Sequence, residues 1–298
     1  MMIHIVLNGK KAGYETVRSA ISTLRKEHDD IGVRVTYEYG DVERFVNEAV
    51  RDGVKRLIVG GGDGSVNEIV DAMAKLPRDQ RPELAILPLG TANDFATACQ
   101  IPRESLEALR LAVSGSAVSV DIAKANDRHF MNMATIGFGA QVTAETPVEL
   151  KNFLGGGAYT LTGVLQAIKF VPYKGKIKTP DFESESTAVV AAVCNGRQAG
   201  GGQVLAPKAC IDDGLLDVLI ISNVPLSDMP VLLDEIKEPS PNGRYAKYFK
   251  TPWVEGESEK IIPVNLDGEP YQNKKIRFEA VPNAIDLILP EHSPMLSK

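Results

Sequence analysis

The stretch LIVGGGDGSVNEIV, residues 57–70, determines how the first half of the chain folds. Residues 57–59 form an apolar run of the kind that makes a short buried strand. Val66, Ile69 and Val70 then recur at the spacing of a helix, so the four glycines between them occupy a strand-to-helix turn. Such a turn either binds an anion at the helix N-terminus or lets the helix pack closely on the strand. The glycines alone leave both explanations open.

Strands and helices alternate in this way through the first 115 residues. Apolar runs predict strands at residues 3–7, 33–37, 57–59 and 84–87, with helical stripes between them. This alternation indicates βαβ units and a parallel sheet with helices on both faces. Ligands bind beyond the carboxyl ends of the strands in such sheets. Polar residues and glycines collect at that edge here: Asn8, Thr36, residues 60–64 and residues 88–94.

The pattern changes near residue 118, where apolar and polar residues begin to alternate at the period of a strand. Segments typical of strands follow at 187–194, 215–221, 261–266, 276–281 and 285–289, with predicted helices at 147–170 and 226–237. We therefore predict two domains. An α/β domain covers residues 1–122, and a β-rich domain covers residues 123–298.

The composition is that of an ordinary soluble protein large enough for two domains, with 298 residues, 44% hydrophobic and 24% charged. The net charge of −6 argues against a general attraction to nucleic acid. The three cysteines are far apart in sequence, which favours a reducing compartment and argues against disulfides or a zinc site. The first apolar run is too short for a signal peptide, and no run has membrane-spanning length, so we expect a cytoplasmic protein.

The glycine turn does not match the common nucleotide-binding signatures. Asn67 stands where a dinucleotide-binding fingerprint has its third glycine, and the sequence has no GxxxxGKS or GxxxxGKT motif. It also lacks GxSxG and HExxH motifs, and its four histidines are scattered. Serine-hydrolase and zinc-hydrolase chemistry therefore have no support in the sequence.

GGGDGSVNE, residues 60–68, resembles the GGDG loop shared by diacylglycerol kinases, sphingosine kinases, NAD kinases and phosphofructokinases. PLGTANDFA, residues 88–96, resembles the second signature of the lipid-kinase branch specifically. Further motifs follow in the order of that branch: NGRQAGGG at 195–202, DDGLLDV at 212–218 and NLDGEP at 265–270. Over nearly its whole length the chain is similar to the YegS-like lipid kinases. Ser65 replaces the threonine usual in lipid kinases and keeps the hydroxyl.

The resemblance implies a phosphofructokinase- and NAD-kinase-like α/β domain and a β-sandwich-like second domain, with ATP and magnesium in the cleft between them. It implies ATP contacts from Thr36, Gly61, Gly62, Asp63, Gly64, Ser65, Val66, Asn67, Glu68 and Thr91. The residues alone leave an alternative to several of these contacts. Thr36 could equally be a hydroxyl at a strand end, and Thr91 could equally be a helix N-cap. Asn67 and Glu68 could be ordinary residues of the first helical turn. Asp63 either contacts magnesium or caps its own helix in an Asx turn.

Asp212 and Asp213 precede Gly214 and an apolar strand, as in a type I turn, and this explains them without a ligand. The resemblance adds a second, regulatory magnesium, or calcium in its place. That ion would be held by the Asp213 carboxylate and the backbone carbonyls of Cys210 and Leu215. Hard oxygen ligands of this kind suit magnesium.

The NLDGEP motif places Asp267 and Glu269 around a glycine between two predicted strands. In a regular strand both carboxylates would face the same side, unless Gly268 breaks the register. An alcohol acceptor needs a base within hydrogen-bond reach. The resemblance makes Glu269 that base and leaves Asp267 as the reserve candidate, with a solvent-exposed acidic hairpin as the alternative.

Lys174, Lys176 and Lys178 alternate at the period of a strand, near Phe170 and Tyr173. A basic strip of this kind either rests on an anionic membrane surface or protects an edge strand, and we favour the edge strand. Contact with a membrane would then be transient and peripheral.

These motifs predict an ATP- and magnesium-dependent lipid kinase. The resemblance makes phosphatidylglycerol the first expected acceptor and diacylglycerol the second. A soluble-metabolite kinase of the NAD-kinase or phosphofructokinase type is the alternative enzyme, and a nucleotide or lipid sensor is the non-enzymatic alternative. The sequence leaves the head-group preference and the oligomeric state open.

Overall fold

The computed structural model describes residues 1–137 and 172–297. Strands and helices alternate through the first part of the chain, over these ranges: β1 (Ile3–Asn8), α1 (Glu15–Glu27), β2 (Ile31–Thr36), α2 (Asp41–Arg51), β3 (Arg56–Gly61), α3 (Asp63–Ala74), β4 (Glu83–Pro88), α4 (Asp94–Ala98) and α5 (Ser105–Ser114). A 3₁₀ turn at Arg78–Gln80 connects α3 to β4. The predicted alternation is confirmed for each of these strands.

The first four strands are parallel and lie in the order β4-β3-β1-β2. Their register brings the carboxyl ends to one edge, because Asn8 lies opposite Thr36 and Gly61 lies opposite Pro88. Apolar strand residues pack on α2 and α3 on one face, and on α1 and α5 on the other. The sheet is therefore covered on both faces, as the alternation predicts.

The second part is built mainly of antiparallel strands: β5 (Ala117–Ala125), β6 (Arg128–Phe130), β7 (Met133–Gly137), β8 (Tyr173–Lys178), β9 (Glu183–Ala188), β10 (Val190–Cys194), β11 (Gln198–Ala199), β12 (Gln203–Val204), β13 (Leu216–Ile221), β14 (Ala246–Thr251), β15 (Trp253–Leu266) and β16 (Glu269–Ile288). One helix, α6 (Met229–Lys237), lies between β13 and β14. β10 and β13 bury one face against β15 and β16 and the other against α6. The predicted β-rich second domain is confirmed.

Three predictions for this part need correction. Residues 187–194 belong to two strands rather than one, because β9 pairs with β8 while β10 pairs with β7 and β13. Residues 276–281 and 285–289 belong largely to one strand, β16, with an irregularity between Val281 and Ile285. β8 is not an edge strand, since it lies between β15 and β9. The predicted helix at 147–170 lies outside the described residues.

The lysines of β8 are exposed, and the neighbouring strand balances part of their charge. Lys178 pairs with Glu183 at 3.4 Å, and Lys176 lies opposite Glu185 in the register of β8 and β9. A partly neutralised strip attracts an anionic surface less strongly than the sequence alone indicates. Among the described helices, none has the length and the hydropathy needed to cross a bilayer.

β16 connects the two parts of the fold. Its first residues pair with β15, and its later residues pair with β5 and, at Leu287 opposite Leu84, with β4 of the parallel sheet. Ile285 and Leu287 are fully buried in the core of the first domain. The proposed boundary at residue 122 falls inside β5, and the last strand returns to complete the first domain.

Replacing Ile285 with alanine tests this return. We expect Ile285→Ala to lower the free energy of unfolding by about 2–5 kcal/mol, because a buried aliphatic side chain is lost and a cavity is left. Denaturant unfolding followed by circular dichroism measures the change. Lys274→Ala, at an exposed position of the same strand, is the control and should change the stability by less than about 0.5 kcal/mol. Equal effects of the two substitutions would contradict the packing described here.

Candidate active site

The carboxyl ends of β1, β2 and β3 meet through specific side-chain contacts. The Asn8 amide donates to the Ser65 hydroxyl at 3.3 Å. The backbone N–H of Gly9 donates to the Thr36 hydroxyl at 3.3 Å. Thr36 is thus a hydroxyl at a strand end that connects two neighbouring loops, which is one of the two roles predicted for it. It lies at the same edge of the sheet as the glycine turn.

The glycines of the turn allow close packing rather than an unusual backbone conformation. Gly62 has φ −97° and ψ −171°, which any residue can adopt. A Cβ at Gly60 would lie 2.4 Å from a methyl carbon of Leu7, and one at Gly62 would lie 3.0 Å from the Cα of Gly90. The close-packing explanation therefore accounts for these two glycines.

Gly64 differs from its neighbours because a Cβ there would meet no heavy atom within 4 Å. It lies in the first turn of α3, whose first helical hydrogen bond runs from Val66 N–H to the Gly62 carbonyl at 3.1 Å. The amides before Val66 therefore point out of the positive end of the helix. This arrangement leaves room for an anion at Gly64, and the Val66 side chain itself is buried in the core.

Asp63 caps a helix other than its own. Its carboxylate accepts hydrogen bonds from the N–H groups of Asp94 at 3.1 Å and Phe95 at 3.0 Å, at the start of α4. The predicted Asx turn at α3 is therefore replaced by a contact between the two signature motifs. Thr91 is exposed and is not the N-cap of α4, since Asn93 holds that position with φ 52°.

Asp94 is a site residue that the sequence analysis missed. It is buried, and its carboxylate accepts hydrogen bonds from Gly201 N–H at 2.9 Å and Gly202 N–H at 2.7 Å. Burial raises the pKa of Asp94, and the Asp63 carboxylate adds to this, while the two amides oppose it. The signal was present in the sequence as an aspartate within PLGTAND and a run of glycines within NGRQAGGG, but only the fold brings the two together.

Asn67 and Glu68 follow on the first turns of α3. Asn67 is buried, and its Oδ1 has no hydrogen-bond partner among the described residues. Partial burial raises the pKa of Glu68, and the negative charge of Glu269 raises it further. Glu68, at the end of the GGGDGSVNE motif, is therefore within electrostatic reach of Glu269 in the NLDGEP motif.

The NLDGEP motif forms a tight hairpin turn between β15 and β16. Asp267 has φ 49° and Gly268 has φ 100°, and Leu266 pairs with Glu269, which is the pattern of a type I′ turn. The register is therefore broken at Gly268, which is the alternative that the sequence left open, and the turn separates the two carboxylates. Glu269 is exposed at the start of β16.

The Asp267 carboxylate is held by the backbone that leads into β7. It accepts hydrogen bonds from Met131 N–H at 2.7 Å, Asn132 N–H at 2.9 Å and Met133 N–H at 2.7 Å. Burial raises the pKa of Asp267 to about 6, with the three amides acting in the opposite direction. Both carboxylate oxygens are used in these contacts, which gives Asp267 a structural role.

α3 is also tied to the strand that precedes β7. The Asp71 carboxylate accepts the His129 N–H at 3.0 Å and pairs with Lys75 at 3.0 Å. Partial burial opposes the charge of Asp71, but the contacts with His129 and Lys75 outweigh it and lower the pKa of Asp71. The helix behind the glycine turn and the segment held by Asp267 are therefore fixed relative to each other.

The predicted second magnesium site lies at the turn before β13. Asp213 Oδ1 accepts Leu215 N–H at 3.1 Å, and Asp213 Oδ2 lies 2.6 Å from the Lys250 ammonium. Both Asp213 oxygens are therefore already engaged, and the donor set expected from Cys210, Asp213 and Leu215 does not fit a divalent cation while Lys250 holds this position. No cluster of three or more His, Cys, Asp or Glu side chains with metal-binding geometry occurs in residues 1–137 and 172–297. The magnesium at this turn stays a prediction.

Comparison with known proteins assigns the family. Residues 2–125 match the model of the diacylglycerol kinase catalytic domain, and residues 133–289 match the YegS C-terminal NAD kinase beta sandwich-like domain. A protein of Shewanella frigidimarina named "Probable lipid kinase YegS-like" is 50% identical over 99% of this chain and 96% of its own. One of the same name from Chromohalobacter salexigens is 46% identical over 98% of this chain and 94% of its own.

Solved structures agree with this assignment. A crystal structure of a diacylglycerol kinase from Bacillus anthracis has a TM-score of 0.75 and 26% identity, and the match covers 97% of each chain. The fold predicted from the motifs, an α/β domain followed by a β-rich domain, is thus also that of solved relatives. The sequence motifs, the two family models and the full-length relatives all lead to one conclusion: the chain belongs to the YegS-like lipid kinases, and it is a kinase.

Proposed function

We propose that this kinase transfers the γ-phosphoryl group of Mg-ATP to a hydroxyl of phosphatidylglycerol. One observation carries the proposal. The glycine turn at the N-terminus of α3 and Glu269 come from different domains, yet α3 is tied through Asp71 and His129 to the segment whose amides hold Asp267, two residues before Glu269. Phosphoryl transfer needs an anion-binding element and an acceptor-side base at one place, and mainly asks the protein to position them.

The nucleotide would bind at the edge formed by β1 to β4. The amides at the start of α3 suit its phosphates, and the open space at Gly64 supports close approach. Thr36, Ser65 and Thr91 offer hydroxyls at the same edge. A divalent cation bound with the nucleotide would supply positive charge that stabilises the triphosphate. Asp63 reaches that cation only if its oxygens serve both the cation and the α4 amides.

Glu269 is the better candidate for the base. Its carboxylate is exposed and makes no hydrogen bond or ion pair with another described residue, so it is available to a substrate hydroxyl. The Asp267 carboxylate, by contrast, accepts from three backbone amides. We therefore assign the proton acceptor to Glu269 and assign Asp267 to the support of the turn.

An apolar cavity in the β-rich domain supports a lipid as the acceptor. The cavity, of about 100 Å³, lies among the strands of that domain, and its lining includes Ile136, Val193, Val218, Ile220, Val254 and Phe278. Ile136 is three residues along β7 from Met133, whose N–H binds Asp267, so roughly 10 Å of strand separates cavity and turn. Part of an acyl chain fits such a cavity. The choice of phosphatidylglycerol as the acceptor lipid rests on the resemblance to YegS-like kinases.

A substrate panel tests the proposal. Labelled ATP with magnesium is incubated with phosphatidylglycerol or diacylglycerol in mixed micelles, and separately with NAD or a sugar phosphate. We expect label in phosphatidylglycerol above all other acceptors. Preferential transfer to diacylglycerol would replace the acceptor and keep the mechanism. Transfer to NAD or a sugar phosphate alone, or ATP binding without any transfer, would contradict the proposed function.

Replacing the two carboxylates of the turn separates their roles. Glu269→Gln keeps the size of the side chain and removes its basicity, so we expect kcat and kcat/KM to fall together by about 10²–10⁴-fold while ATP affinity holds. Steady-state kinetics and nucleotide titration measure these quantities. Asp267→Asn places an amide donor against backbone donors, so we expect a loss of stability of about 1–3 kcal/mol. A nearly silent Glu269→Gln combined with an inactive but stable Asp267→Asn would move the base to Asp267.

The glycine turn gives a second test. Gly64→Ala adds a methyl group where no heavy atom lies within 4 Å, so the fold should be retained while the methyl blocks the phosphates and ATP binds at least about tenfold more weakly. Gly62→Ala meets the backbone of Gly90, so we expect it to lower both the melting temperature and ATP affinity. Calorimetric titration with ATP and thermal unfolding distinguish the two effects. Gly256→Ala, also in open space but in the second domain, is the control and should leave ATP binding unchanged. Normal ATP affinity in folded Gly64→Ala would mean that phosphates do not approach this turn.

A further inference from the structure

Four carboxylates gather around the turn before β13, here named the acidic turn: Asp121, Asp212, Asp213 and Asp217. Backbone amides satisfy two of them. Asp121 accepts hydrogen bonds from Gly214 N–H at 2.6 Å and Asn283 N–H at 2.8 Å. Asp212 accepts the Ser297 N–H at 2.7 Å. The remaining two carboxylates need another source of positive charge.

Lys250 supplies that charge. Its ammonium lies 2.6 Å from Asp213 Oδ2 and 3.6 Å from Asp217 Oδ2. Within the described part of the chain, both ion pairs made by the four carboxylates come from this one lysine. The placement is fixed by the sheet, because Lys250 on β14 lies directly opposite Asp217 on β13.

Asp217 makes the lysine necessary. Its side chain is 1% exposed, and its Oδ1 accepts the Tyr248 hydroxyl. Its Oδ2 has no hydrogen-bond partner among the described residues, so Lys250 is the group that compensates this charge. A buried carboxylate that loses its counter-charge is strongly destabilising. Lys250 therefore cannot move away from the acidic turn without cost.

A divalent cation at the acidic turn would need an oxygen of Asp213. Oδ2 already accepts from the ammonium, and Oδ1 accepts Leu215 N–H at 3.1 Å. An incoming cation would also meet the positive charge of Lys250 at close range. We propose that the Lys250 ammonium takes the place of a divalent cation at the acidic turn, so that this chain keeps the turn closed without a metal there. The inference does not depend on the proposed substrate, because it concerns only contacts within the protein.

The number of Mn²⁺ ions bound per chain tests the proposal. Free Mn²⁺ is measured by electron paramagnetic resonance during titration, without nucleotide or lipid, for the wild type, Asp213→Asn, Lys250→Met and the double variant. We expect the wild type and Asp213→Asn to bind equal numbers of Mn²⁺. Lys250→Met should bind one more ion per chain than the double variant, because losing the ammonium frees the Asp213 carboxylate to bind Mn²⁺. Lys250→Arg keeps the charge and should behave as the wild type.

Two results would overturn the proposal. A wild type that binds one more Mn²⁺ than Asp213→Asn would place a metal at the turn despite Lys250. Equal numbers of bound Mn²⁺ in all four proteins would mean that Lys250 does not keep a cation out of the acidic turn. If Lys250→Met does not fold, Asp217→Asn is added to it to remove the uncompensated buried charge, and this variant is compared with the same variant carrying Asp213→Asn.

Discussion

The buried carboxylate of Asp267 is the contact on which the arrangement of the site depends. It gathers the three consecutive amides of Met131, Asn132 and Met133, and in doing so it joins the tip of the β15–β16 hairpin to the start of β7. Hydrogen bonds to a carboxylate are among the stronger ones in proteins, and here burial strengthens them further. Because Glu269 lies two residues away in a type I′ turn, its position follows from this contact.

A second set of contacts connects the edge at the carboxyl ends of the parallel strands to the β-rich domain. Asp63 holds the start of α4, and Asp94 at that start holds the glycines of the β11–β12 hairpin. Backbone donors thereby account for Asp63, the acidic residue in the middle of the glycine turn. The motifs at residues 60–68, 88–96 and 195–202 thus form one continuous network of carboxylates and amides. Such a network arranges the loops before any ligand arrives, which reduces the ordering cost of binding.

Local periodicity was enough to predict the parallel sheet, the change to β structure near residue 118 and the edge where the motifs meet. It was not enough for pairings between distant residues. The role of Asp63 depends on α4, thirty-one residues further along, and the contact of Asp213 depends on Lys250, thirty-seven residues further along. β8 reads as a protected edge because its lysines alternate, but β9 covers it. In each case the deciding partner is brought in by the tertiary fold, which no local pattern contains.

β16 has a consequence for how the protein forms during synthesis. The parallel sheet of the first domain is encoded within the first 90 residues, but Ile285 and Leu287 fill its core and Leu287 pairs beside β4. The sheet therefore stays incomplete until residue 287 has left the ribosome, although domains generally fold as units from the N-terminus. Contacts so far apart in sequence make folding slow, and the unpaired side of β4 is exposed in the meantime. The regular βα pattern of the first half therefore does not mean that this half completes its fold by itself.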